Sequence, residues 1–437
     1  MRISFPMKLV MNVPHGSSPD PAVEVRPRLL LVAPHTSYRI GAYINTAQAM
    51  GVDIMVVSEG KYSLVASIAE GIQVDFSNPA EAYEKILTAA HTHPFNGVVA
   101  TDDAVVELAQ HVAEFLGLKH NALDAARYAR RKDLARARLR EADVRVPDHW
   151  LVDLFSPIQP QLDNFTYPVV VKPVSMSGSR GVIRANTVDE LVTAIERITV
   201  IVAELDDVFE RSHVLIERYL DGVEVAFEGM LDHGRLQTLV LFDKPDALEG
   251  PYFEETIYST PSTQSQTIQL AIRQTVADAC EAYGLVEGPV HAELRLCEDG
   301  IYVLEVAART IGGQCARLVE LTTGCSLESM VIAKALSQDL QLSNENKAAA
   351  VMMLPIAEAG LLRRVEGLLD AVKIEFIEDI EISRQSGYEL KPLPEGNSYL
   401  GFMFAQAPTA AQAEQALRDA HRCLKVVVAP LWSATIS

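Results

Sequence analysis

Cysteine is scarce in this chain, and acidic residues outnumber basic ones. The five cysteines are scattered and form no CxxC pair, a pattern that indicates reduced thiols in a cytoplasm. The lysines and arginines number 38 against 58 acids, which gives a net charge of −20. Such a surface argues against binding nucleic acid or an anionic membrane, so any bound phosphate must be met by a local cluster of cations and backbone amides.

The chain also lacks targeting, membrane-spanning and dinucleotide-binding signals. The N-terminal segment has no apolar core followed by a cleavage site, and no apolar run reaches membrane-spanning length. The turn after the first predicted strand, Pro34–Tyr38, contains no GxGxxG, which argues against a dinucleotide site there. We therefore expect a soluble, cytoplasmic protein with no membrane partner.

What is present indicates an α/β protein of several domains. The 437 residues exceed one ordinary core, and 49% of them are apolar, so two to four domains are expected. After a loose lead-in over residues 1–25, apolar strands alternate with helices, which predicts a parallel, Rossmann-type sheet. The strands are predicted at Arg28–Ala33, Asp53–Ser58 and Asn96–Thr101, and the helices before Gly51 and at Pro79–Ala90.

Two lysines in the middle of the chain are candidates for an anion site. Residues Asp124–Asp143 predict one basic helix, in which Lys132 either points into such a site or belongs to a solvated face. Lys172 is the one charged residue of the apolar strand Tyr167–Pro173, and its burial costs free energy unless it meets an anion. The glycine- and serine-rich loop Ser175–Gly181 could cover phosphates with backbone amides, although most such loops are simple hairpin turns.

The second half of the chain predicts further strands and helices and one long loop. The loop, rich in proline and glycine, is a candidate substrate loop or lid. The pair Gly312–Gly313 precedes a helix whose N-terminus would attract an anion. The predicted elements are a strand from His213 to a turn at Leu220–Gly222, a hairpin turned at Asp232–Gly234, the loop Asp243–Ser262, helices at Thr267–Tyr283, Gln314–Thr323 and Ser326–Leu336, a linker at Ser343–Asn346 and a final α/β portion from Ala350.

The segment His291–Gly313 predicts a β-hairpin closed by a three-residue loop that ends at Gly300. Two facing carboxylates in its register would repel each other unless a cation lies between them, and such oxygen ligands suit Mg²⁺. The alternative is that Arg295 neutralises both glutamates on a solvated face, and the hairpin alone does not separate the two. The predicted pairs are Ala292 with Val306, Glu293 with Glu305, Leu294 with Leu304, Leu296 with Tyr302, and Cys297 with Ile301.

Taken in order, Lys132, the VVVKP strand with its SGSRG loop, IERYLDGVE and HAELRLCEDGIYVLEVAAR resemble the ATP-grasp ligase superfamily. The resemblance implies an α/β (α+β) fold with three parts. These are a Rossmann-like N-terminal domain (1–123), an ATP-grasp domain with central and nucleotide-clamping sheets (124–342), and a C-terminal α/β portion or lid (343–437). Within the family, the single-chain length, the loop DKPDALEGPYFEETIYSTPS and the C-terminal portion look most like the L-amino acid (dipeptide) ligases.

The resemblance also implies roles for individual residues. The ATP phosphates would be contacted by Lys132 and Lys172 and covered by the loop with Ser177, Gly178, Ser179 and Gly181. The adenosine would be bound by Glu217, the backbone of Arg218, Tyr219 and Leu220, and Glu224. Glu293 and Glu305 would hold Mg²⁺, with Mn²⁺ as the alternative ion, and Arg309 would act with Glu305 in catalysis by stabilising the phosphoryl group or acylphosphate. The candidate substrate contacts are Lys244, Glu255, His291, Gly312 and Gly313.

One residue departs from the family pattern. Ala307 stands where the family commonly has an asparagine, so either water completes one Mg²⁺ shell or a second ion binds weakly.

The expected activity is that of an ATP-dependent, ADP-forming carbon–nitrogen ligase. It would join a small-molecule carboxylate to an amine through an acylphosphate, with L-amino acids as the favoured substrates. The alternatives are a carboxylase- or glycinamide-type ligase that uses another acid and amine, and a regulatory protein that binds ATP without turnover. A homodimer is left open.

Overall fold

The computed structural model describes residues 26–60, 70–162, 165–340 and 347–431. The predicted lead-in (1–25) and linker (343–346) lie outside these ranges. The described strands are β1 (Arg28–Val32), β2 (Asp53–Glu59), β3 (Glu70–Val74), β4 (Gly97–Ala100), β5 (His149–Asp153), β6 (Val169–Pro173), β7 (Ile183–Ala185), β8 (His213–Arg218), β9 (Val223–Asp232), β10 (Arg235–Asp243), β11 (Ile257–Thr260), β12 (Gly288–Cys297), β13 (Gly300–Ala307), β14 (Ala348–Leu354), β15 (Gly360–Glu366), β16 (Ile377–Ile382), β17 (Glu389–Leu390), β18 (Gly401–Ala407) and β19 (Lys425–Ala429).

The helices connect these strands and cover the sheets. Among the described residues, no helix combines the length and the apolar character needed to cross a membrane. The α-helices are α1 (Ile40–Ala49), α2 (Pro79–Thr92), α3 (Asp103–Phe115), α4 (Ala125–Arg130), α5 (Lys132–Glu141), α6 (Val188–Val202), α7 (Val208–Ser212), α8 (Gln266–Tyr283), α9 (Ala316–Thr323), α10 (Leu327–Ala335), α11 (Leu368–Ala371) and α12 (Ala410–Cys423).

The N-terminal part is a parallel sheet with the order β3-β2-β1-β4. After Arg28 the strand β1 is apolar, and Leu29 to Val32 are fully buried, as expected for a central parallel strand covered on both faces. This confirms the predicted Rossmann-type sheet. The edge strand β3 was not predicted from the sequence, because its exposed residues Glu70, Gly71 and Gln73 show no apolar pattern.

The basic segment forms two helices, so the prediction of one helix over Asp124–Asp143 is wrong. Arg131 has an extended backbone between α4 and α5, and its guanidinium donates two hydrogen bonds to Asp133, at 2.9 and 2.7 Å. The backbone N–H of Lys132 donates to the carbonyl of Val174 at 2.8 Å. The break therefore fixes Lys132 at the start of α5, directly against the loop that follows β6.

A small antiparallel sheet follows, with the order β5-β8-β6-β7. All five residues of β6 are buried, including Lys172, so the predicted burial of this lysine is confirmed. The helix α6 covers one face through an apolar stripe that includes Leu191, Ile195 and Ile198. The loop Ser175–Gly181 connects β6 to β7, so it joins two strands and does not open a helix.

The largest sheet is antiparallel and has the order β13-β12-β9-β10-β11-β14-β18-β16. The β9–β10 turn is confirmed at His233 and Gly234, whose φ angles are +49° and +78°, as a two-residue turn of this kind requires. Two features were not predicted. The buried strand β11 occupies the end of the expected loop Asp243–Ser262, and strands of the C-terminal part extend the sheet beyond β11. The division expected at residue 343 stays a prediction, and one continuous sheet connects the two sides of it.

The C-terminal part adds a three-stranded sheet with the order β17-β15-β19. The predicted helices over Thr267–Tyr283 and Ser326–Leu336 are confirmed as α8 and α10. The helix expected from Gln314 begins instead at Ala316. Gly313 and Gln314 have φ angles of +60° and +56°, and this left-handed backbone cannot belong to a right-handed helix.

The β12–β13 hairpin confirms the pairing of Glu293 with Glu305, although part of the predicted register is wrong. Gly300 belongs to β13 and pairs with Cys297, so the turn has two residues instead of three. The observed pairs near the turn are Leu294 with Val303, Arg295 with Tyr302, and Leu296 with Ile301. A bulge then removes Leu304 from the ladder and restores the predicted pairs Glu293–Glu305 and Ala292–Val306. Leu304 lines a cavity as a result, and Val303 replaces it in the core.

Candidate active site

One large cavity collects most of the predicted site residues. Its volume is about 920 Å³, within the range of small-molecule sites. The small sheet, the large sheet, the N-terminal part and the C-terminal part all contribute to its wall. All the predicted site residues line it except Gly181, which lies at the end of the loop, and Lys244, which lies behind the wall.

The first charged group in this cavity, which we call the Glu217 cluster, consists of Arg136, Lys172 and Glu217. The Glu217 carboxylate accepts from Arg136 Nε at 2.7 Å and lies 2.6 Å from Lys172 Nζ. Burial alone would raise the pKa of Glu217, but the charges of Arg136 and Lys172 lower this pKa to about 2. Burial lowers the pKa of Lys172, and Glu217 opposes that change. Two cations on one acid leave an excess positive charge.

Arg136 was not identified from the sequence. It is fully buried on α5 and also donates to the Leu304 carbonyl at 2.6 Å. A signal was present, because Arg136 follows Lys132 by four residues and therefore shares its face of the helix.

Lys132 joins the small sheet to the hairpin of the large sheet. Its Nζ donates to the Met176 carbonyl at 2.8 Å and lies 3.2 Å from a carboxylate oxygen of Glu305. Lys132 therefore points into the cavity, as the anion-site interpretation predicted, and does not belong to a solvated face.

The loop Ser175–Gly181 lies over the cavity and is held by the C-terminal part. Gly178, Ser179 and Gly181 have φ angles of +66°, +55° and +72°. At Gly181 a side chain would also meet Pro173 at 2.8 Å, so this position favours glycine twice over. The Gly181 N–H donates to the Pro394 carbonyl at 2.9 Å, and Arg180 donates to the Glu395 carbonyl at 3.0 Å.

The second charged group, the Lys244 cluster, consists of Lys244, Glu224, Glu255 and Glu293. The Nζ of Lys244 donates to Glu224, Glu255 and Glu293 at 2.7, 2.7 and 3.0 Å. Burial alone would raise the pKa of Glu293, but the charge of Lys244 holds this pKa well below its usual range. Burial raises the pKa of Glu255, although Lys244 opposes the change. One ammonium among three carboxylates leaves this group acidic.

The facing glutamates of the hairpin are each neutralised by a lysine and not by Arg295. Glu293 contacts Lys244, and Glu305 contacts Lys132. Arg295 instead donates to the carbonyls of Gly222 and Leu248, at 3.0 and 2.9 Å, and lies 3.7 Å from Glu224. Glu293 and Glu305 both line the cavity, and Mg²⁺ prefers carboxylate oxygens of this kind. Glu224 and Glu255 offer further oxygens within 4.8 Å in one set with Glu293, but the Lys244 ammonium lies among those three.

Glu255 lies at the edge of the Lys244 cluster, facing the C-terminal part. It accepts from the Tyr258 hydroxyl at 2.6 Å and from the Tyr399 hydroxyl at 3.4 Å. Gly312 and Gly313 line the same region, and a side chain at Gly313 would meet the Met353 sulfur at 2.7 Å. These predicted substrate contacts therefore all line the same cavity.

His291 lies between Glu228 and Glu293, the second of which is one of the facing glutamates of the hairpin. Its Nδ1 is 3.3 Å from Glu228, and its Nε2 is 3.8 Å from Glu293. Burial alone would lower the pKa of His291, but the two carboxylates raise this pKa to about 9. Glu228 is fully buried and accepts from the Ile311 N–H at 3.2 Å. Glu228 was not identified from the sequence, although it stands in a mostly apolar stretch of β9 much as Lys172 stands in β6.

Arg309 is held by the N-terminal part of the chain. Its Nε and terminal nitrogen lie 2.9 and 2.8 Å from one oxygen of Asp103. Burial alone would lower the pKa of Arg309, but the charges of Asp103 and Glu305 raise this pKa above its ordinary value. Asp103 was also not identified, although it begins α3 just beyond the end of β4 at Ala100, and ligand sites of α/β folds lie at the carboxyl ends of parallel strands.

Comparison with known proteins agrees with this architecture. The family model of the ATP-grasp domain matches residues 165–317, and that of the ATP-grasp N-terminal domain matches residues 44–120. The chain belongs to the ATP-grasp superfamily. The model of L-amino acid ligase C-terminal domain 2 matches residues 352–429, so this ATP-grasp chain carries a C-terminal region of the L-amino acid ligase type.

Individual relatives are distant. An L-amino acid ligase from Bacillus licheniformis has a similar structure, with a TM-score of 0.76 and 22% identity, over 92% of this chain and 99% of that one. An alanine–anticapsin ligase from Bacillus subtilis is 20% identical over 58% of this chain and 56% of that protein. An uncharacterised protein from Sinorhizobium fredii is 25% identical over 67% of this chain. The matches to curated relatives extend over 60% or less of those proteins' lengths.

Proposed function

We propose that this ATP-grasp protein is an ADP-forming ligase that joins a carboxylate to an amine through an acylphosphate, with L-amino acids as substrates. One observation carries the proposal. A single cavity is lined by residues of a cation-rich group, by the facing glutamates of the hairpin and by a buried arginine whose charge interacts with one of them. Phosphoryl transfer to a carboxylate needs such a combination, because the protein contributes mainly positioning and charge stabilisation.

The Glu217 cluster would bind ATP. Lys172 and Lys132 would contact the phosphates, and the loop that contains Ser177, Gly178, Ser179 and Gly181 would cover them. The segment Arg218–Leu220, which connects the two antiparallel sheets, would bind the adenine edge together with Glu217. Glu224, at the start of β9, would hold the ribose.

Glu293 and Glu305 would hold Mg²⁺, since they are direct neighbours across the hairpin and both reach the cavity. Mn²⁺ would be held by the same oxygens. When bound, the ion would neutralise negative charge on the phosphates. Ala307 pairs with His291 in the hairpin, and its methyl side chain offers no ligand atom.

The acyl donor would lie between Arg309 and the Lys244 cluster. Its carboxylate would face Arg309 and the Gly312–Gly313 backbone, and its ammonium would bind Glu255. One oxygen of Glu255 already accepts from Lys244 and Tyr258, whereas the other, among the described residues, has only the long contact with Tyr399. The C-terminal region of the L-amino acid ligase type, which supplies Tyr399, supports an amino acid in this position.

The experiment is an ADP-release screen over pairs of L-amino acids, followed by the variant Glu255→Gln. We expect Glu255→Gln to raise the KM for one amino acid by about tenfold and to leave the KM for ATP unchanged, because only ground-state binding of the ammonium is lost. Glu254→Gln is the matched control, since Glu254 is the neighbouring acid in the same segment.

The screen also separates the alternatives. ADP release with another acid and amine, and with no amino acid, would favour a carboxylase- or glycinamide-type ligase. ATP binding without turnover of any pair would favour the regulatory protein.

A further inference from the structure

We propose that Asp103 binds the ammonium group of the acceptor amine and takes a proton from it, an inference that rests on the proposed ligase function. The two oxygens of this carboxylate have unequal surroundings. Oδ2 receives both contacts from Arg309, whereas Oδ1 is buried and has no hydrogen-bond partner among the described residues. Asp103 lines the cavity and its side chain is about one-fifth exposed, so a small shift of the side chain would bring Oδ1 to a bound molecule.

A buried carboxylate oxygen without a partner costs free energy, so its presence calls for an explanation. The neighbouring acid shows how such a cost is normally avoided. Asp102 accepts from the Thr101 hydroxyl at 2.6 Å with one oxygen and from Arg39 at 3.3 Å with the other. A protonated amine bound at Oδ1 of Asp103 would supply the missing donor.

The position of Asp103 suits the second half of the reaction. Arg309 would stabilise the acylphosphate, and Asp103 contacts the same guanidinium, so its free oxygen lies beside the expected reaction centre. Glu255 is assigned to the donor's ammonium and belongs to the Lys244 cluster. The two ammonium groups of a dipeptide-forming reaction would therefore have separate acids, one from the large sheet and one from the N-terminal part.

The chemical step balances without a further reactant. One proton of the ammonium moves to Asp103 Oδ1, and the freed lone pair forms the C–N bond to the acyl carbon. The C–O bond to the phosphate then breaks, and the phosphate leaves with the electron pair. A second proton of the nitrogen moves to the departing phosphate, and Asp103 later releases its proton to solvent.

The test compares two nucleophiles in the same variant. Hydroxylamine is largely unprotonated at neutral pH, so it can trap an acylphosphate as a hydroxamate without a base. We expect Asp103→Asn to lower amide formation from an amino acid acceptor by about a hundredfold or more at pH 7, the usual contribution of general base catalysis. Hydroxamate formation should change by less than about fivefold, and the deficit with the amino acid should shrink as the pH rises toward the pKa of its amine. Asp102→Asn is the matched control and should keep both activities.

Each result has a defined meaning. Equal losses with both nucleophiles in a folded Asp103→Asn variant would overturn the proposal, because Asp103 would then act only by holding Arg309. Unchanged amide formation would overturn it as well. If Asp103→Asn does not fold, Asp103→Glu carries the comparison, because it keeps a charge beside Arg309 but displaces the oxygen that would take the proton. Amide formation should then fall more than hydroxamate formation, and equal rates with both nucleophiles would overturn the proposal. Failure of the wild type to form any hydroxamate with ATP would instead count against the ligase function itself.

Discussion

The two buried charged groups of the cavity carry opposite excess charge. The Glu217 cluster has two cations around one acid, whereas the Lys244 cluster has three acids around one ammonium. Buried charges are tolerated when they are paired, and each group is paired internally. The imbalance left in each indicates what it is built to receive, which is an anion in the first and a cation in the second.

The same folding principle produces both groups. In each, charged residues interrupt otherwise apolar strands of an antiparallel sheet. Glu217 pairs with Val170, two residues from Lys172 on the neighbouring strand. Glu293 pairs with Ala226, two residues from Glu224. Such diagonal neighbours lie on the same face of a sheet, within reach of long side chains. The sign of each group's excess charge is therefore set by which charged residues occupy these positions, while the diagonal arrangement on the sheet is the same in both groups.

The largest expected effect is at Glu305, which connects the two groups through the hairpin. We predict that Glu305→Ala lowers ATP-dependent ADP release by at least about a thousandfold, because loss of a metal ligand removes several kcal/mol of charge stabilisation. The fold should be retained, since the side chain is partly exposed and Lys132 keeps its bond to the Met176 carbonyl. ADP release and thermal melts with and without Mg²⁺ measure the two effects.

Glu298→Ala is the matched control, because Glu298 is an exposed acid on the turn of the same hairpin. It should behave as the wild type. A Glu305→Ala protein that melts far below the wild type in EDTA, together with a wild type that does not respond to Mg²⁺, would make the glutamate pair structural.

The next effect tests the cation-rich group. Lys172→Ala should weaken ATP binding by about one to two decades, because a charge-assisted hydrogen bond contributes about 1.5–3 kcal/mol. Glu217 keeps its hydrogen bond from Arg136 in this variant, so the buried carboxylate still has a charged partner. Calorimetric titration with ATP gives the dissociation constant, and the exposed Lys85 provides a control as Lys85→Ala. An unchanged constant would remove Lys172 from the proposed phosphate site.

The pH response of the same group is the third test. The pKa of Glu217 is lowered to about 2 in the folded protein, so its ionised form stabilises the fold above its unfolded pKa, and this stabilisation is lost as the pH falls toward 2. The shift corresponds to roughly 3 kcal/mol. The unfolding free energies of the wild type and Glu217→Gln should therefore differ by about that much less at pH 2.5 than at pH 6, as urea titrations can measure. Parallel pH curves would contradict the assigned pairing.

The sequence predicted those parts of the site whose partners are close in the chain. The pairing of Glu293 with Glu305 follows from one hairpin, and it was found although the turn length was wrong, because the bulge at Leu304 compensated the error. Lys172 could be found because a single charge stood out in an apolar strand. Both inferences depend on short-range patterns, in which the alternation of a strand fixes which side chains share a face.

Partners brought together by the fold over long distances could not be found in this way. Arg136 and Glu217 are 81 residues apart, and Arg309 and Asp103 are 206 residues apart. No local pattern relates such positions, since their contact depends on how whole sheets and helices pack. For the same reason the sequence did not predict that β14, β16 and β18 extend the central sheet.

The smallest expected effect concerns the C-terminal segment that holds the loop Ser175–Gly181. Arg197 forms two hydrogen bonds with Glu395, one of them at 2.9 Å, next to the contacts that hold Gly181 and Arg180 against the same segment. Both side chains are about two-fifths exposed, and an exposed pair contributes about 0.2–1 kcal/mol. Glu395→Gln should therefore raise the KM for ATP by about two- to fivefold at low salt and less at high salt, because screening weakens exposed pairs.

The KM for the amino acid donor should not change in the Glu395→Gln variant, because Glu255 and Lys244 keep all their contacts. Glu389→Gln, which removes another exposed acid of the C-terminal part, is the matched control for steady-state kinetics. Equal changes in both KM values would show that the C-terminal segment acts on the whole cavity. In that case the segment would influence binding at both the cation-rich and the acid-rich group. The opposite charges of the two groups would then still select different ligands, but the two sites would not be independent of each other.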